Sequence, residues 1–286
     1  LVITCHDSPS IVGASLLFRA LDRRPLRRLG MFMSTSVGLH LEARMMNSAD
    51  AVLCLTNDGA SNLGSAYGSE VTAIPFAIGP RIESPPKRRE IFVPGYTNDA
   101  EGVAALVKTV CRWNKANPEQ WMIRLSAYSP EVEGQATAGL KLSDLESIDL
   151  MGYLSEDELM EAYVRASIVV RLHVGSRAGN SFAVSGPLPI AVSQGCLCIT
   201  NDDRSGSREL AANGLVIIAA RPDQELWKSL ARWPGQDEGN SVAIRAQQIM
   251  GIDATARAYA AATGLSLPDQ ENAERGREQV VEHPSS

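Results

Sequence analysis

Two apolar runs, Ile168-Val169-Val170 and Cys196 to Thr200, stand on either side of a stretch of small and apolar residues. Each run passes into a loop of Gly, Ser and charged residues. Short apolar runs bounded by turn signals read as strands buried on both faces. Two such strands joined through a helix pair in parallel, because only a long crossover can bring the chain back to its starting edge. The stretch from Asp149 to Val216 is therefore read as a β-α-β alternation. Parallel sheets are covered by helices on both faces. They bind ligands beyond the carboxyl ends of their strands, against helix N-termini that attract anions. The loops after Val170 and after Thr200 are where a ligand is expected.

The remainder of the chain repeats the pattern on both sides. Leu1 to Cys5 is a strand running into the turn His6-Asp7-Ser8-Pro9. Helical spacing from Ser36 to Ser48 precedes a strand at Ala51 to Thr56, a short helix over 59–67 and a strand from Val71 that ends in Gly79-Pro80. Two strand–helix units this close together predict a second parallel sheet. Glu83 to Glu90, reading ESPPKRRE, is proline-rich and charged and reads as a linker. Beyond it come a strand at Ile91 to Gly95, a loop from Tyr96 to Glu101 and an amphipathic helix from Gly102 to Asn114. A strand at Trp121 to Leu125, a surface loop over 129–141 and a strand at Ser147 to Met151 follow. Trp227 to Trp233 and Ser241 to Ala262 read as helical, and 265–286 as a polar, disordered tail. The chain opens on Leu1, already inside a strand pattern. The first lobe is therefore expected to be incomplete, with its upstream strands outside these residues.

Composition excludes several classes. With 44% hydrophobic and 21% charged residues in 286, the chain is globular and not disordered. The net charge of −6 leaves no basic field to attract nucleic acid, so a polyphosphate would have to be held by local groups. No run approaches the roughly 20 apolar residues of a membrane span. The five cysteines are odd in number and mostly inside apolar runs, as in the reducing cytoplasm. Cys196 and Cys198 are expected on opposite sides of their strand, which argues against a metal pair. The four histidines (6, 40, 173, 283) are too dispersed for a metal constellation. Five arginines between residues 19 and 28 are either a solvated face or a contact with an acceptor or with the inner face of the membrane. No G-x-S-x-G elbow or Walker loop is present.

Several segments, taken in order, resemble one family. They are Val2-Ile-Thr-Cys-His-Asp; Ala49-Asp50-Ala-Val-Leu-Cys-Leu-Thr; Ala73-Ile-Pro-Phe-Ala-Ile-Gly; and Ile91-Phe-Val-Pro-Gly. Met151-Gly-Tyr-Leu-Ser-Glu-Asp-Glu-Leu, Gln194-Gly195-Cys-Leu-Cys-Ile-Thr and Arg208-Glu209-Leu-Ala-Ala-Asn-Gly214 continue the series. Together they resemble the nucleotide-sugar glycosyltransferases of the GT-B fold, in particular the group 1 (family 4) retaining class. The resemblance covers about residues 1–262 and rests on order and spacing, since each piece is mostly a small-residue turn after a strand.

The resemblance implies an α/β protein of two Rossmann-like lobes, their parallel sheets flanked by helices. Residues 1–82 would form part of the acceptor lobe, 83–90 the linker and 91–240 the nucleotide-sugar donor lobe. The helix over 241–264 would cross back to the first lobe, ahead of the tail at 265–286. The implied reaction moves a sugar from a UDP- or GDP-linked donor to a glycan or lipid-linked acceptor, with no metal or other cofactor. Cations and helix amides stabilise the charge that develops on the leaving diphosphate.

The donor motifs depart from the family pattern. Tyr96 or Thr97 stands where an Arg is usual, and Glu101 where a Lys is usual, which reverses a charge. Asn180 takes the place of one paired Glu, and Ile190 or Ala191 that of the other. His6 and Asn180 are the catalytic candidates that remain. Gly95, Tyr153, Arg171, His173, Arg177, Gly179, Ser181 and Glu209 are the candidates for substrate or nucleotide binding. Gly179 and Ser181 suit a backbone nest for anions. Arg177 is a substitute cation or a surface arginine; His173 a ligand or a half-buried strand residue. Tyr153 lies beside a base or on plain surface; Glu209 binds substrate or complements a helix dipole. His6 faces an acceptor or belongs to a turn with Asp7. The lost charges leave open a second class, a degenerate relative that binds a glycan or a partner without turnover. A sugar epimerase of the same architecture is a more distant third.

Overall fold

The computed structural model describes residues 1–5, 37, 38, 40–83, 86–95, 99–126, 129–173, 185–232 and 236–266. Two parallel sheets organise them. β1 (Val2–Cys5), β2 (Ala51–Cys54) and β3 (Val71–Ala73) form a three-stranded sheet in that order. The second sheet has six strands in the order β6-β5-β4-β7-β8-β9. They are β4 (Arg88–Val93), β5 (Met122–Ser126), β6 (Ile148–Gly152), β7 (Ala166–Arg171), β8 (Leu197–Thr200) and β9 (Val216–Ile218). All of the pairings are parallel, with Ile91 beside Ile123 on one side and Ile168 on the other.

Strand alternation divides the large core into two layers. Ile91, Val93, Ile123, Leu125, Ile168 and Val170 bury one face against the helices Ala100–Ala116 and Pro222–Arg232. Phe92, Val169, Cys196 and Cys198 bury the other against Tyr163, Leu188, Ala246 and Met250. Both cysteines lie in this second layer, which corrects the expectation that they face opposite ways: residues two apart in a strand share a face. Both thiols are free, and burial pushes both up in pKa.

Three other expectations change. Residues 129–141, read as a loop, contain the helix Pro130–Thr137, started by Ser129 accepting from Val132 N–H, with proline in the first turn. β4 begins at Arg88, inside the stretch read as a linker, and Glu90 is buried there beside Arg165 at 2.8 Å. The C-terminal helix is two helices, Gln236–Met250 and Ile252–Thr263. Gly251 separates them, and a Cβ there would meet the Gln247 carbonyl oxygen at 2.4 Å.

The second of these helices packs on β2, so the chain crosses back to the first lobe. The outgoing and returning crossings touch. Ile78 N–H donates to the Met250 carbonyl at 2.9 Å, Ile78 and Gly251 form a parallel bridge, and Gln247 Nε2 donates to the Gly79 carbonyl at 2.7 Å. Among the described residues no helix is long and apolar enough to cross a membrane.

Candidate functional site

From β4 the chain moves to β5 and β6 on one side of the large sheet, then returns to β7 on the other. The boundary between β4 and β7 is therefore the point where the strand order reverses, and a crevice is expected there, at the carboxyl ends of the strands, where open parallel sheets bind ligands. Gly95 lies at the end of β4, and Arg171 and His173 at the end of β7. Arg171 Nη1 donates to the carbonyls of Gly95 at 3.2 Å and Leu172 at 2.9 Å, which ties the two sides of the crevice together. Its charge is directed at backbone oxygens.

His173 is fixed by its backbone. Its N–H donates to Asn201 Oδ1 at 2.7 Å, and Asn201 Nδ2 donates back to its carbonyl at 3.2 Å. The ring is half-buried, and its Nε2 is buried without a hydrogen-bond partner. Burial, then Arg204, push its pKa down, against the pull of Asp202. The imidazole is thus neutral at neutral pH, and Nε2 suits a ligand hydroxyl or amide. Asp202 is buried and held by Arg204 through Nε and Nη2, both at 2.8 Å.

The helix that follows β4 does not present a bare N-terminus. Asp99 is its N-cap and accepts from Gly102 N–H at 2.8 Å, while Glu101 adds a second carboxylate in the first turn. The Asp99 carboxylate takes up the Gly102 amide, one of those that would otherwise face an anion. Asp99→Ala should cost about 1 kcal/mol in urea unfolding, the usual effect of losing a cap.

Glu209 belongs to the helix Ser205–Ala212 and points across to the first lobe. Its Oε1 accepts from Asn57 N–H at 2.6 Å, at the N-terminus of the helix Asn57–Tyr67. Next to it Asp58 accepts from Ser205 Oγ at 3.0 Å and from Arg208 Nη2 at 2.6 Å. Burial raises the Glu209 pKa against the lowering by these amides. Glu209 therefore complements a helix dipole, but that of a helix in the other lobe. Neither Asn57 nor Asp58 is singled out by the sequence, where nothing signals which distant group a helix N-terminus meets.

The structure brings Gly95, Arg171 and His173 together. It places Tyr153, 81% exposed, after the edge strand β6, two strands away from β4. His6, Arg177, Gly179, Asn180 and Ser181 lie outside the described residues. Among the described residues no group of three or more His, Cys, Asp or Glu could hold a metal ion.

No family model matches the chain, and no curated protein matches it. Solved structures do. WaaG, a glycosyltransferase involved in lipopolysaccharide biosynthesis, superposes with a TM-score of 0.57 at 14% identity, over 92% of this chain and 75% of its own. Sucrose-phosphate synthase from Thermosynechococcus elongatus gives 0.56 at 13% identity, over 99% and 68%. The pneumococcal O-GlcNAc transferase GtfA, solved with UDP and GlcNAc, gives 0.55 at 13%, over 85% of this chain. The fold is GT-B. This chain spans 47% of the length of GtfA.

Proposed function

We propose that this chain is the donor lobe and part of the acceptor lobe of a glycosyltransferase. It moves a sugar from a UDP- or GDP-linked donor to a glycan or lipid-linked acceptor, with retention and without a metal. The observation that supports this reading best is the crevice between β4 and β7, where Gly95, Arg171 and His173 converge on a GT-B scaffold. In this reading the His173 Nε2 takes a polar group of the donor. Arg177 and the amides of Gly179 and Ser181 take the diphosphate. Asn180 hydrogen-bonds a sugar hydroxyl, and His6 works on the acceptor side.

A second reading has its own support. Asp99 on the Gly102 amide and Glu101 in the same first turn put two carboxylates at this helix N-terminus, an arrangement unfavourable to a diphosphate. A protein of this kind would bind a glycan or a partner without turnover. Calorimetry separates the two. Titration of the protein with UDP, GDP and their sugars should give saturable heat, and Arg177→Ala should weaken binding about tenfold, as expected for loss of a charge-assisted contact. Failure of every nucleotide to bind would remove the enzyme reading and leave the second. Binding unchanged in Arg177→Ala would overturn the diphosphate assignment.

A further inference from the structure

The carboxyl ends of β1 and β2 bring two cysteines together. Cys5 and Cys54 are partners in register on these adjacent parallel strands. Neighbouring strands lie roughly 4.7–4.9 Å apart, and in-register partners of a parallel pair project to the same face. That face is the small core of the first lobe, where Cys5 packs against a cluster holding Cys54, Val52, Leu63 and Tyr67. We infer that Cys5 and Cys54 form a dithiol site, which a small disulfide oxidises to a reversible bond between β1 and β2.

Three observations select this pair. A disulfide needs Cα atoms about 4.4–6.8 Å apart and Cβ vectors that do not point apart, and in-register neighbours on one face meet both conditions. Cys5 is half-buried, whereas Cys54, Cys111, Cys196 and Cys198 are buried, so an oxidant enters at Cys5. The two thiols also act on one another: burial, then Cys54, then Glu42 push the Cys5 pKa up. The exchange therefore runs best at mildly alkaline pH, where more of Cys5 is thiolate. The Cys5 thiolate attacks one sulfur of the small disulfide, forming a mixed disulfide and expelling one thiolate. Cys54, deprotonated in its turn, attacks the Cys5 sulfur and expels the second thiolate. The small disulfide is reduced to two thiols, taking up the two electrons and two protons that the protein gives. Among the described residues β1 is an edge strand paired with β2 alone, so the bond fastens a strand that is held on one side. In a reducing compartment the dithiol is the resting form, and the bond forms when the thiol pool is oxidised. The inference goes beyond the sugar-transfer reading and does not depend on it.

The test is incubation of the folded full chain with oxidised glutathione at mildly alkaline pH, then alkylation of the remaining thiols in denaturant and peptide mass mapping. The peptides holding Cys5 and Cys54 should appear joined, two hydrogens lighter than their reduced sum, and dithiothreitol should separate them. Cys111, Cys196 and Cys198 should be recovered alkylated. Cys54→Ala should stop at a glutathione adduct on Cys5, because the attacking thiol is gone, and Cys5→Ser should leave Cys54 alkylated. Oxidation should raise the urea midpoint of the parent and leave that of Cys5→Ser unmoved. The parent and Cys5→Ser decide the matter even if Cys54→Ala does not fold. The inference is overturned if Cys5 of the parent stops at the glutathione adduct or stays reduced. It is equally overturned if Cys5 or Cys54 joins another cysteine instead, or if the oxidised parent unfolds at the same urea concentration as the reduced one.

Discussion

Phe92→Ala should destabilise the molecule by about 4 kcal/mol, the size expected for emptying a fully buried aromatic position. Phe92 is 0% exposed on β4, the strand with pairs on both sides at the switch point of the sheet. Its neighbours in register are Arg124 on β5 and Val169 on β7. Its ring meets Tyr163 edge-on, with centroids 5.2 Å apart and planes at 84°. Truncation removes that contact and opens a void between the sheet and the helix Glu156–Arg165. The measurement is the urea midpoint at unchanged slope, which separates a stability change from a change in the denatured state. Phe92→Leu, which retains most of the volume, should cost about 1 kcal/mol. A loss below about 1 kcal/mol for the alanine variant would contradict the placement of β4 at the centre of the core.

Gly195→Ala should cost about 3 kcal/mol or more, from two independent sources. The residue has φ +75°, where any Cβ is strained. That Cβ would also meet the Gly239 carbonyl oxygen at 2.6 Å and its carbon at 3.0 Å. The contact is mutual, since a Cβ on Gly239 would meet the Gly195 oxygen at 2.5 Å. Two glycines thus let the helix Gln236–Met250 seat its backbone directly on the turn before β8. Gly68 is the control: it has φ +68° but open space around its missing Cβ. Gly68→Ala should cost about 1 kcal/mol, the strain alone. Chemical denaturation gives the two values, and limited proteolysis should cut within 236–250 in Gly195→Ala well before the parent. Equal costs for the two variants would mean that the close approach is not what Gly195 provides.

Much of the fold was legible because burial writes itself locally. The runs at Ile91, Ile123, Ile168 and Ile199 mark strands covered on both faces, and the chain has several in succession. The spatial order of those strands was not legible: no local pattern says that β4 lies between β5 and β7. The helix Pro130–Thr137 was missed because Gly134 and Gly139 suggest a loop. The better signal was Ser129-Pro130 followed by Glu131 and Glu133, a cap, a first-turn proline and acids suited to the dipole. For the site, the sequence located Gly95, Arg171 and His173 as ends of strands. It could not indicate that Arg171 would turn to the Gly95 carbonyl, or that Glu209 would reach the other lobe. Both depend on groups more than 75 residues away in the chain.

The paired crossings at Ile78 and Met250–Gly251 bear on how the cleft can move. Two bodies joined by one peptide can swivel about any axis. Here the outgoing and returning segments are hydrogen-bonded side by side, and a ribbon of that kind resists twisting and shear while it bends across its width. The paired crossings therefore restrict twisting between the lobes more than one segment would, and the Asn57–Glu209 hydrogen bond is a further contact that any opening must break. A scissile bond placed anywhere in 83–87 would therefore leave the two halves attached, because the returning helix Ile252–Thr263 still grips β2.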